Sequence, residues 1–374
     1  MAIETISIEP GASSSAAISR AAAALANGAL VAFPTETVYG LGVNAAVEDS
    51  VQRLRKLKGR AAERPFTVHI GRRSDCEKFV PRMSPIARRL SRKGWPGPLT
   101  LVFPVQDAST TAIYSSLSAG GIKSIYSENS VGIRYPDHPQ GAALLAKVEA
   151  PIIATSANFA GEPPPTDANA VRERLGDSID VLLDAGPCRF KYASTIVSLV
   201  GDDYRIVRDG AIDSDAIRRL ATLEVLLVCS GNTCRSPMAE GILRQLIAEK
   251  LGCAPAEIES RGVHVSSAGT LAMDGGRASP EAVEVCRRRG IDISNHRSRS
   301  LSGELIQTAD LIYTMGGHHL EMVKSLNRGD PAKAAQLDSR GDISDPVGGT
   351  IEDYENAAER ITTALRERLP EVLP

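Results

Sequence analysis

The side chains with the clearest chemical potential lie on one short loop in the stretch LLVCSGNTCRSPMAEGIL, residues 226–243. Cys229 and Arg235 follow the spacing C-x5-R, and a helical pattern begins near Ser236. Unpaired backbone N–H groups at a helix start attract anions, and a guanidinium can bind two oxygens of one phosphate. The same positive potential is expected to lower the pKa of Cys229 and to favour its thiolate. The sequence therefore predicts a loop that holds a phosphate against a nucleophilic sulfur, with Ser236 donating its hydroxyl to that sulfur.

A second polar loop, DISDPVGGTIEDY at residues 342–354, contains a candidate general acid, Asp345. An aspartic acid on such a loop can protonate a leaving group. Either motif alone is weak, because C-x5-R spacings are common by chance and Asp-Pro is ordinary in turns. Together, and with Asn232 suited to a left-handed turn, they indicate phosphoryl-transfer chemistry. Cys234 on the first loop is either a small packed residue or a thiol that forms a reversible disulfide with Cys229.

Length, charge and cysteine content limit the class of protein. A chain of 374 residues is long enough for two or three domains. The formal net charge of -2 gives no overall attraction to nucleic acid or to a membrane. Six cysteines scattered over this length do not suggest a disulfide framework, so a cytoplasmic protein is expected. We expect no signal peptide, no membrane span and no metal site, since no apolar run or histidine spacing indicates one.

The elements that must position these residues fall into two series. In the first, the runs ALVAF, PFTVHI, LTLVFPV, SVGIRYP, PIIATSA, STIVSLVG and DYRIVR predict strands that alternate with helices, which indicates an α/β domain with a twisted mixed sheet. From Val225 a regular strand–helix alternation restarts and predicts a doubly wound parallel sheet. We therefore expect domains at residues 1–212 and 223–374, joined by a linker at 213–222. Ligands of such sheets bind beyond the carboxyl ends of the strands, where the Cys229 loop lies.

The first series contains three polar stretches that could bind a ligand but match no specific catalytic spacing. They are FPTETVYGLG (33–42), RLRKLKGRAAERP (53–65) and ATSANFAGEPPPT (154–166). Each alone is typical of a polar turn or a basic helix end. Neither a G-x-x-x-x-G-K-[ST] loop nor a dinucleotide-binding glycine pattern is present, which argues against those modes of nucleotide binding. Spacing alone predicts a basic, hydroxyl-lined cavity for a small anion.

Residues 223–374 resemble the low-molecular-weight protein-tyrosine phosphatase family, through VCSGNTCRSP and SDP. The resemblance implies that Cys229 forms a phosphocysteine, Arg235 binds phosphate, Asp345 is the acid, and no cofactor is needed. Four further residues would support the phosphate loop: Asn232, Thr233, Cys234 and Ser236. Thr233 and the acid loop are similar to the protein-arginine phosphatase branch, which favours phosphoarginine over phosphotyrosine. Val347 stands where the family usually has an aromatic residue beside the substrate.

Residues 13–210 resemble the YrdC-like threonylcarbamoyl-AMP synthase family, through PTETVYGLG, KGR, VHI, GPLTLVF, VGIRYPDHP, SAN, STIV and VRDGAI in the family's order. The resemblance implies synthesis of L-threonylcarbamoyladenylate from L-threonine, bicarbonate and ATP, with pyrophosphate released. Mg²⁺ would accompany ATP, and the product would serve the t6A modification of tRNA by partner proteins. The implied ATP-binding residues are Lys58, Arg60, Ser156, Asn158 and Arg208. The implied threonine-binding residues are Thr35, His69, Arg134 and Ser194.

Three functions are weighed on these grounds. The first is a fusion of two enzymes, a synthase and a phosphatase of phosphorylated proteins. In the second, the N-terminal half is only an RNA- or nucleotide-binding module, which the basic run at residues 53–64 favours. The third, an arsenate reductase in the C-terminal half, ranks low because no cysteine follows Cys286 to act as a resolving thiol.

Overall fold

The computed structural model describes residues 3–8, 14–59, 64–327, 329 and 331–373. The chain forms two compact units, Met1–Leu220 and Ala221–Pro374. Each unit has its own β-sheet covered by helices. The α/β class predicted for both halves is confirmed.

The first unit contains an eleven-stranded mixed sheet in the order β1-β9-β2-β3-β8-β4-β7-β5-β10-β11, with β6 paired to β7. Parallel pairs such as β5 with β10 occur beside antiparallel pairs such as β3 with β8. The strands are β1 (Glu4–Ser7), β2 (Val31–Phe33), β3 (Gly40–Asn44), β4 (Thr67–His69), β5 (Leu99–Pro104), β6 (Tyr126–Ser127), β7 (Ser130–Arg134), β8 (Ile152–Ser156), β9 (Val181–Asp184), β10 (Thr195–Val200) and β11 (Asp203–Arg208).

Strand β3 was expected to be part of a glycine-punctuated turn, and this expectation was wrong. All five of its residues are buried, and it pairs with β2 and β8. Its glycines make room for the ring of Phe33, since a Cβ would lie 3.1 Å from that ring at Gly40 and 2.9 Å at Gly42. The glycines here serve packing inside a strand rather than chain reversal.

The helices of the first unit cover this sheet. The helix α1 buries Ile18, Ala21, Ala22 and Leu25 against β2 and β9, so its apolar residues lie on one face. The helices are α1 (Ser15–Ala26), α2 (Glu48–Leu57), α3 (Pro85–Gly94), α4 (Ala119–Ile125), α5 (Pro139–Lys147) and α6 (Ala168–Leu175), followed by α7 (Ser214–Ala221) at the end of the unit.

The second unit contains a four-stranded, all-parallel sheet in the order β13-β12-β14-β15. Its elements, in chain order, are β12 (Leu223–Cys229), α8 (Arg235–Leu251), β13 (Val263–Gly269), α9 (Pro280–Arg288), α10 (Gly303–Thr308), β14 (Leu311–Thr314), α11 (Gly317–Leu326), β15 (Ala334–Gln336) and α12 (Ile351–Val372).

The central strand β12 shows why this sheet is doubly wound. Successive side chains of a strand point to opposite faces. Val225 and Leu227 pack into a core with residues of α8, α9 and α12. Leu226 and Val228 pack into a second core with residues of α10 and α11. A strand buried on both faces needs a continuous apolar run, which is what the sequence LEVLLVC provides.

No helix within the described ranges has both the length and the apolar character to cross a membrane.

Candidate active sites

The Cys229 loop connects the carboxyl end of β12 to the first residue of α8, as the sequence predicted. Asn232 shapes it with a left-handed backbone, at φ 53°. Its side-chain amide donates to the hydroxyls of Ser236 (2.8 Å) and Ser267 (2.9 Å), and its carbonyl oxygen accepts from the Arg299 amide (2.9 Å). Because Asn232 is fully buried, these bonds hold the loop in one conformation.

The thiol of Cys229 lies inside this loop with 2 % of the residue exposed. Its sulfur is 3.0 Å from the hydroxyl of Ser236 and accepts from the backbone amide of Asn232 at 3.2 Å. Burial raises the pKa of Cys229, whereas these two hydrogen bonds and the charge of Arg235 act to lower it. Burial is the largest of these effects, so the net result is a raised pKa for Cys229. This is opposite to the lowering that the sequence predicted.

Arg235 brings the phosphate loop and the acid loop together. Its Nη1 donates to the Ile343 carbonyl at 2.9 Å, and its Nη2 donates to the Ser230 hydroxyl at 3.3 Å. The same Nη2 forms an ion pair with Asp345. The Arg235 side chain is 5 % exposed and that of Asp345 is 39 % exposed, so the acid reaches the loop from the solvent side. The three residues predicted to carry the chemistry therefore surround one point.

The side chains near this site differ in their exposure. Thr233 is half-buried, and Val347, two residues after the acid, is 67 % exposed. Two further large apolar side chains, Leu271 and Met273, are 79 % and 85 % exposed on the loop that follows β13. Cys234 is buried, with its sulfur 3.3 Å from the Tyr354 hydroxyl on α12, so a packing role has a visible partner.

Two features of this site were missed in the sequence. His319 on α11 is buried, and its Nε2 is 2.9 Å from the Ser230 hydroxyl. Gly269, at the end of β13, allows the loop to approach closely, because a Cβ there would lie 2.4 Å from the Ser230 carbonyl oxygen. The histidine is 89 residues from its partner, and no spacing rule connects them.

The first unit contains a polar cleft of about 360 Å³ at the sheet. It brings together both groups of predicted residues, ATP-binding and threonine-binding. The predicted residues that line it are Thr35, His69, Arg134, Ser156, Asn158, Ser194 and Arg208. A larger hollow of about 620 Å³, beside Arg72 and Lys78, contains none of them.

Lys58 and Arg60 were predicted to bind the phosphates of ATP. The ammonium group of Lys58 donates to the Ser156 carbonyl at 3.0 Å, and to the Asn158 carbonyl and side-chain oxygens at 2.6 and 3.0 Å. These bonds fix the end of α2 beside the cleft. Arg60 lies outside the described residues.

Arg134 has a partner that was not predicted. Its Nη2 pairs with the buried carboxylate of Glu36 at 3.0 Å and also donates to Thr37 (2.6 Å) and Thr35 (3.3 Å). Its Nε is buried and has no hydrogen-bond partner in the described part of the chain. The guanidinium is thus oriented by the PTET segment, and only part of it is available to clamp a carboxylate.

Residues of β5, β10 and β11 line one part of the cleft. Arg208 donates to the carbonyl (2.6 Å) and hydroxyl (3.2 Å) oxygens of Ser194, and that hydroxyl is 2.9 Å from Thr100. Burial, with the charge of Arg134, lowers the pKa of Arg208. Burial and Arg134 also lower the pKa of His69, to about 3, so this imidazole is neutral. Concentrated positive charge in a half-closed cleft favours an anionic ligand.

The residues that the structure describes contain no group of three or more His, Cys, Asp or Glu able to hold a metal ion. A magnesium ion that enters as part of a nucleotide is held mainly by phosphate oxygens and water, and it needs only one or two carboxylates. Glu162 is the carboxylate at the lining of the cleft.

The two sites define a chain with an anion-binding cleft on a mixed sheet and a cysteine-based phosphate loop on a parallel sheet. Residues 23–210 match the Sua5/YciO/YrdC family model, described as telomere recombination, and residues 224–373 match that of low molecular weight phosphotyrosine protein phosphatases. The chain belongs to both families, and both are families of enzymes.

Individual relatives agree with this assignment. Threonylcarbamoyl-AMP synthase of Bacillus subtilis is 38% identical over 201 residues, which are 54% of this chain and 55% of that protein. The chain therefore spans about half the length of that relative. The probable low molecular weight protein-tyrosine-phosphatase EpsP of Ralstonia nicotianae is 38% identical over 153 residues, 40% of this chain and 94% of that protein. The structure of a Sua5 variant from Pyrococcus abyssi, 24% identical with a TM-score of 0.50, covers 89% of this chain and 98% of that chain and shows a similar fold.

Proposed function

We propose that the chain is a bifunctional enzyme, in which the first unit makes L-threonylcarbamoyladenylate and the second removes phosphate from a protein side chain. The observation that supports it most directly is that both sites keep their charged groups together. Arg134 and Arg208 line the first cleft, and Lys58 bonds to Ser156 and Asn158 of its lining. Cys229, Arg235 and Asp345 surround the second site.

In the first unit, threonine and bicarbonate give a carbamate and water. The carboxylate of the carbamate then attacks the α-phosphorus of ATP, and pyrophosphate leaves. Negative charge grows on the departing pyrophosphate, where fixed cations lower the barrier. Two such cations are held by hydrogen bonds. Lys58 donates to Ser156 and Asn158, and Arg208 donates to Ser194. Arg134 would hold the threonine carboxylate with the part of its guanidinium that Glu36 leaves available. The product would be passed to proteins that modify tRNA.

In the second unit, Cys229 attacks phosphorus as its thiolate, the form that Asn232, Ser236 and Arg235 favour. The bond to the leaving group breaks as Asp345 gives that group its proton. The phosphocysteine is then attacked by water, whose proton goes to the Asp345 carboxylate, and the sulfur–phosphorus bond breaks. Ser236 donates to the sulfur as it regains negative charge. The hydrogen bond from Asn232 to the Ser236 oxygen leaves the serine proton for this role.

Substitutions in the two sites test the proposal. Cys229→Ser should abolish hydrolysis of phosphate esters and leave threonine- and bicarbonate-dependent release of pyrophosphate from ATP intact. If wild-type protein releases no pyrophosphate but binds RNA, the first unit is a binding module and not a synthase. Loss of both activities in the Cys229→Ser variant would contradict two independent sites.

Phosphoarginine is the substrate we propose for the phosphatase. The half-buried Thr233 offers a hydroxyl to a polar guanidinium, and Val347 supplies no ring on which a phosphotyrosine could stack. Thr233→Ile should therefore lower the ratio of phosphoarginine to phosphotyrosine turnover. If the variant still hydrolyses a phosphoarginine peptide and a phosphotyrosine peptide in the wild-type ratio, the proposed preference for phosphoarginine has no basis.

A further inference from the structure

A chain of hydrogen bonds runs from a buried histidine to the phosphate-binding arginine. Nε2 of His319 lies 2.9 Å from the Ser230 hydroxyl oxygen, and the same oxygen lies 3.3 Å from Nη2 of Arg235. Ser230 and Asp345 are the side chains that bond this guanidinium in the described part of the chain. Neither Ser230 nor His319 has a role in the mechanism above.

The protons in this chain can be assigned. A guanidinium can only donate, so the Ser230 oxygen accepts from Arg235 and keeps its own proton. That proton has an acceptor in Nε2 of a neutral His319. The imidazole is kept neutral because burial, His318 and Arg235 lower its pKa to about 4, against the opposing effect of Asp342 and Asp345. The other nitrogen, Nδ1, is buried without a partner among the described residues. A buried polar group left unsatisfied is costly, which suggests that the ring is retained for the bond that it does make.

The hydrogen bond between Ser230 and His319 matters at the step of the proposed cycle in which Asp345 leaves Arg235. Asp345 cannot protonate a leaving group while its carboxylate accepts from Arg235, so the pair must separate when substrate binds. The guanidinium then keeps the Ile343 carbonyl and the Ser230 hydroxyl as its contacts with the protein. A hydroxyl that is itself fixed by a second bond is a better anchor than a freely rotating one.

We infer that His319 is a positioning residue for phosphate binding, which acts through the Ser230 hydroxyl to hold the Arg235 guanidinium at the loop after Asp345 has left it. This inference rests on the proposed phosphatase function. It predicts an effect on anion affinity that depends on Ser230, which a purely structural histidine would not produce.

A double-mutant cycle in the full chain tests this. The measurements are the inhibition constant of inorganic phosphate and the kcat and KM for para-nitrophenyl phosphate. His319→Leu, which removes the acceptor, should weaken phosphate inhibition about tenfold, and Ser230→Ala should do the same. His319→Gln, whose side-chain oxygen can accept from Ser230, should stay within about twofold of wild type. In the Ser230→Ala background, His319→Leu should add less than about twofold.

A matched control is Ser325, which is exposed on the same helix, and Ser325→Ala should leave all three constants unchanged. Equal effects of His319→Leu with and without Ser230, or no effect at all, would overturn the inference. If His319→Leu does not fold, wild-type phosphate inhibition in Ser230→Ala overturns it equally. A wild-type protein that neither hydrolyses the ester nor responds to phosphate would contradict the proposed function instead.

Discussion

Asp345 and Ser230 bond the same nitrogen of Arg235, its Nη2. The proposed general acid therefore bonds the same part of the guanidinium that is proposed to bind phosphate. An incoming phosphoryl group has to displace the carboxylate, and the displaced carboxylate is then free to meet the leaving group. Substrate binding and placement of the acid are thus parts of one rearrangement.

The first prediction follows from that competition. Asp345→Asn removes the proposed acid, so kcat for an alkyl phosphate or for phosphoarginine should fall by a factor of about 10²–10⁴. It also replaces an ion pair by a neutral contact, so inorganic phosphate should inhibit several-fold more tightly. Steady-state kinetics with phosphate as inhibitor measure both. Glu352→Gln, an exposed change on the same segment, is the control. An unchanged kcat would exclude Asp345 as the acid.

The second prediction concerns the pKa of the nucleophile. Burial raises the pKa of Cys229, and the hydrogen bond from Ser236 is the first of the effects that oppose it. Ser236→Ala should therefore raise the pKa further and slow alkylation of Cys229 by iodoacetamide at pH 7 by roughly fivefold. The pH dependence of alkylation measures this, with exposed Ser325→Ala as control. A faster reaction in Ser236→Ala would mean that the hydroxyl does not stabilise the thiolate.

The third prediction concerns the synthase cleft. Lys58→Gln removes a charge that is fixed by two neighbouring residues, and pyrophosphate release should fall by about 10² or more. Lys56, exposed on the same helix, gives the matched control Lys56→Gln, which should keep full activity. Hydrolysis of phosphate esters should be normal in both variants. Full synthase activity in Lys58→Gln would leave the ammonium group without a role in the reaction.

The fourth prediction is a pH dependence of stability in the first unit. The pKa of His69 is about 3 in the folded protein and about 6.5 in an unfolded chain. Between these two pKa values the unfolded chain binds more protons at His69 than the folded protein does. The contribution of neutral His69 to stability is therefore fully present above pH 6.5 and is lost as the pH falls towards 3. The slope is at most about 1.4 kcal/mol per pH unit.

His69→Gln should flatten this dependence. Trp95 is the only tryptophan in the chain and is buried in the first unit, so its fluorescence during urea unfolding reports on that unit. Half-buried His138, whose pKa is also lowered, is unchanged in both proteins and cancels in the comparison. Identical slopes for wild type and variant between pH 6.5 and 4 would show that His69 does not titrate as described.

Features confined to one segment could be predicted from the sequence. The buried run of β12, the polar loop after it and the start of α8 are contiguous, and their pattern was enough to locate Cys229 and Arg235. Asp345 was also proposed from the sequence, because an Asp-Pro loop before a long helix is visible without knowing what it contacts. Its ion pair with Arg235 was not, since it joins residues 110 positions apart.

Features set by burial or by distant packing could not be predicted. The pKa of Cys229 depends on how much water the fold excludes. The charge of Arg235, considered without burial, predicted a lowered pKa, whereas the pKa is raised. Glu36 was passed over beside Thr35 because its partner, Arg134, is 98 residues away. The glycines of β3 suggested a turn because the ring of Phe33 that fills their space lies on another strand.

The contact at Gly269 separates what can vary in the phosphatase from what cannot. The backbone of that strand end touches the backbone of the loop, so even a methyl group there would push the carbonyl of Ser230 out of place. Thr233, by contrast, is half-buried and Val347 is 67 % exposed, so both side chains are at least partly open to solvent. Efforts to redirect this enzyme towards new phosphorylated compounds should randomise those outward positions and leave the strand-end glycine untouched.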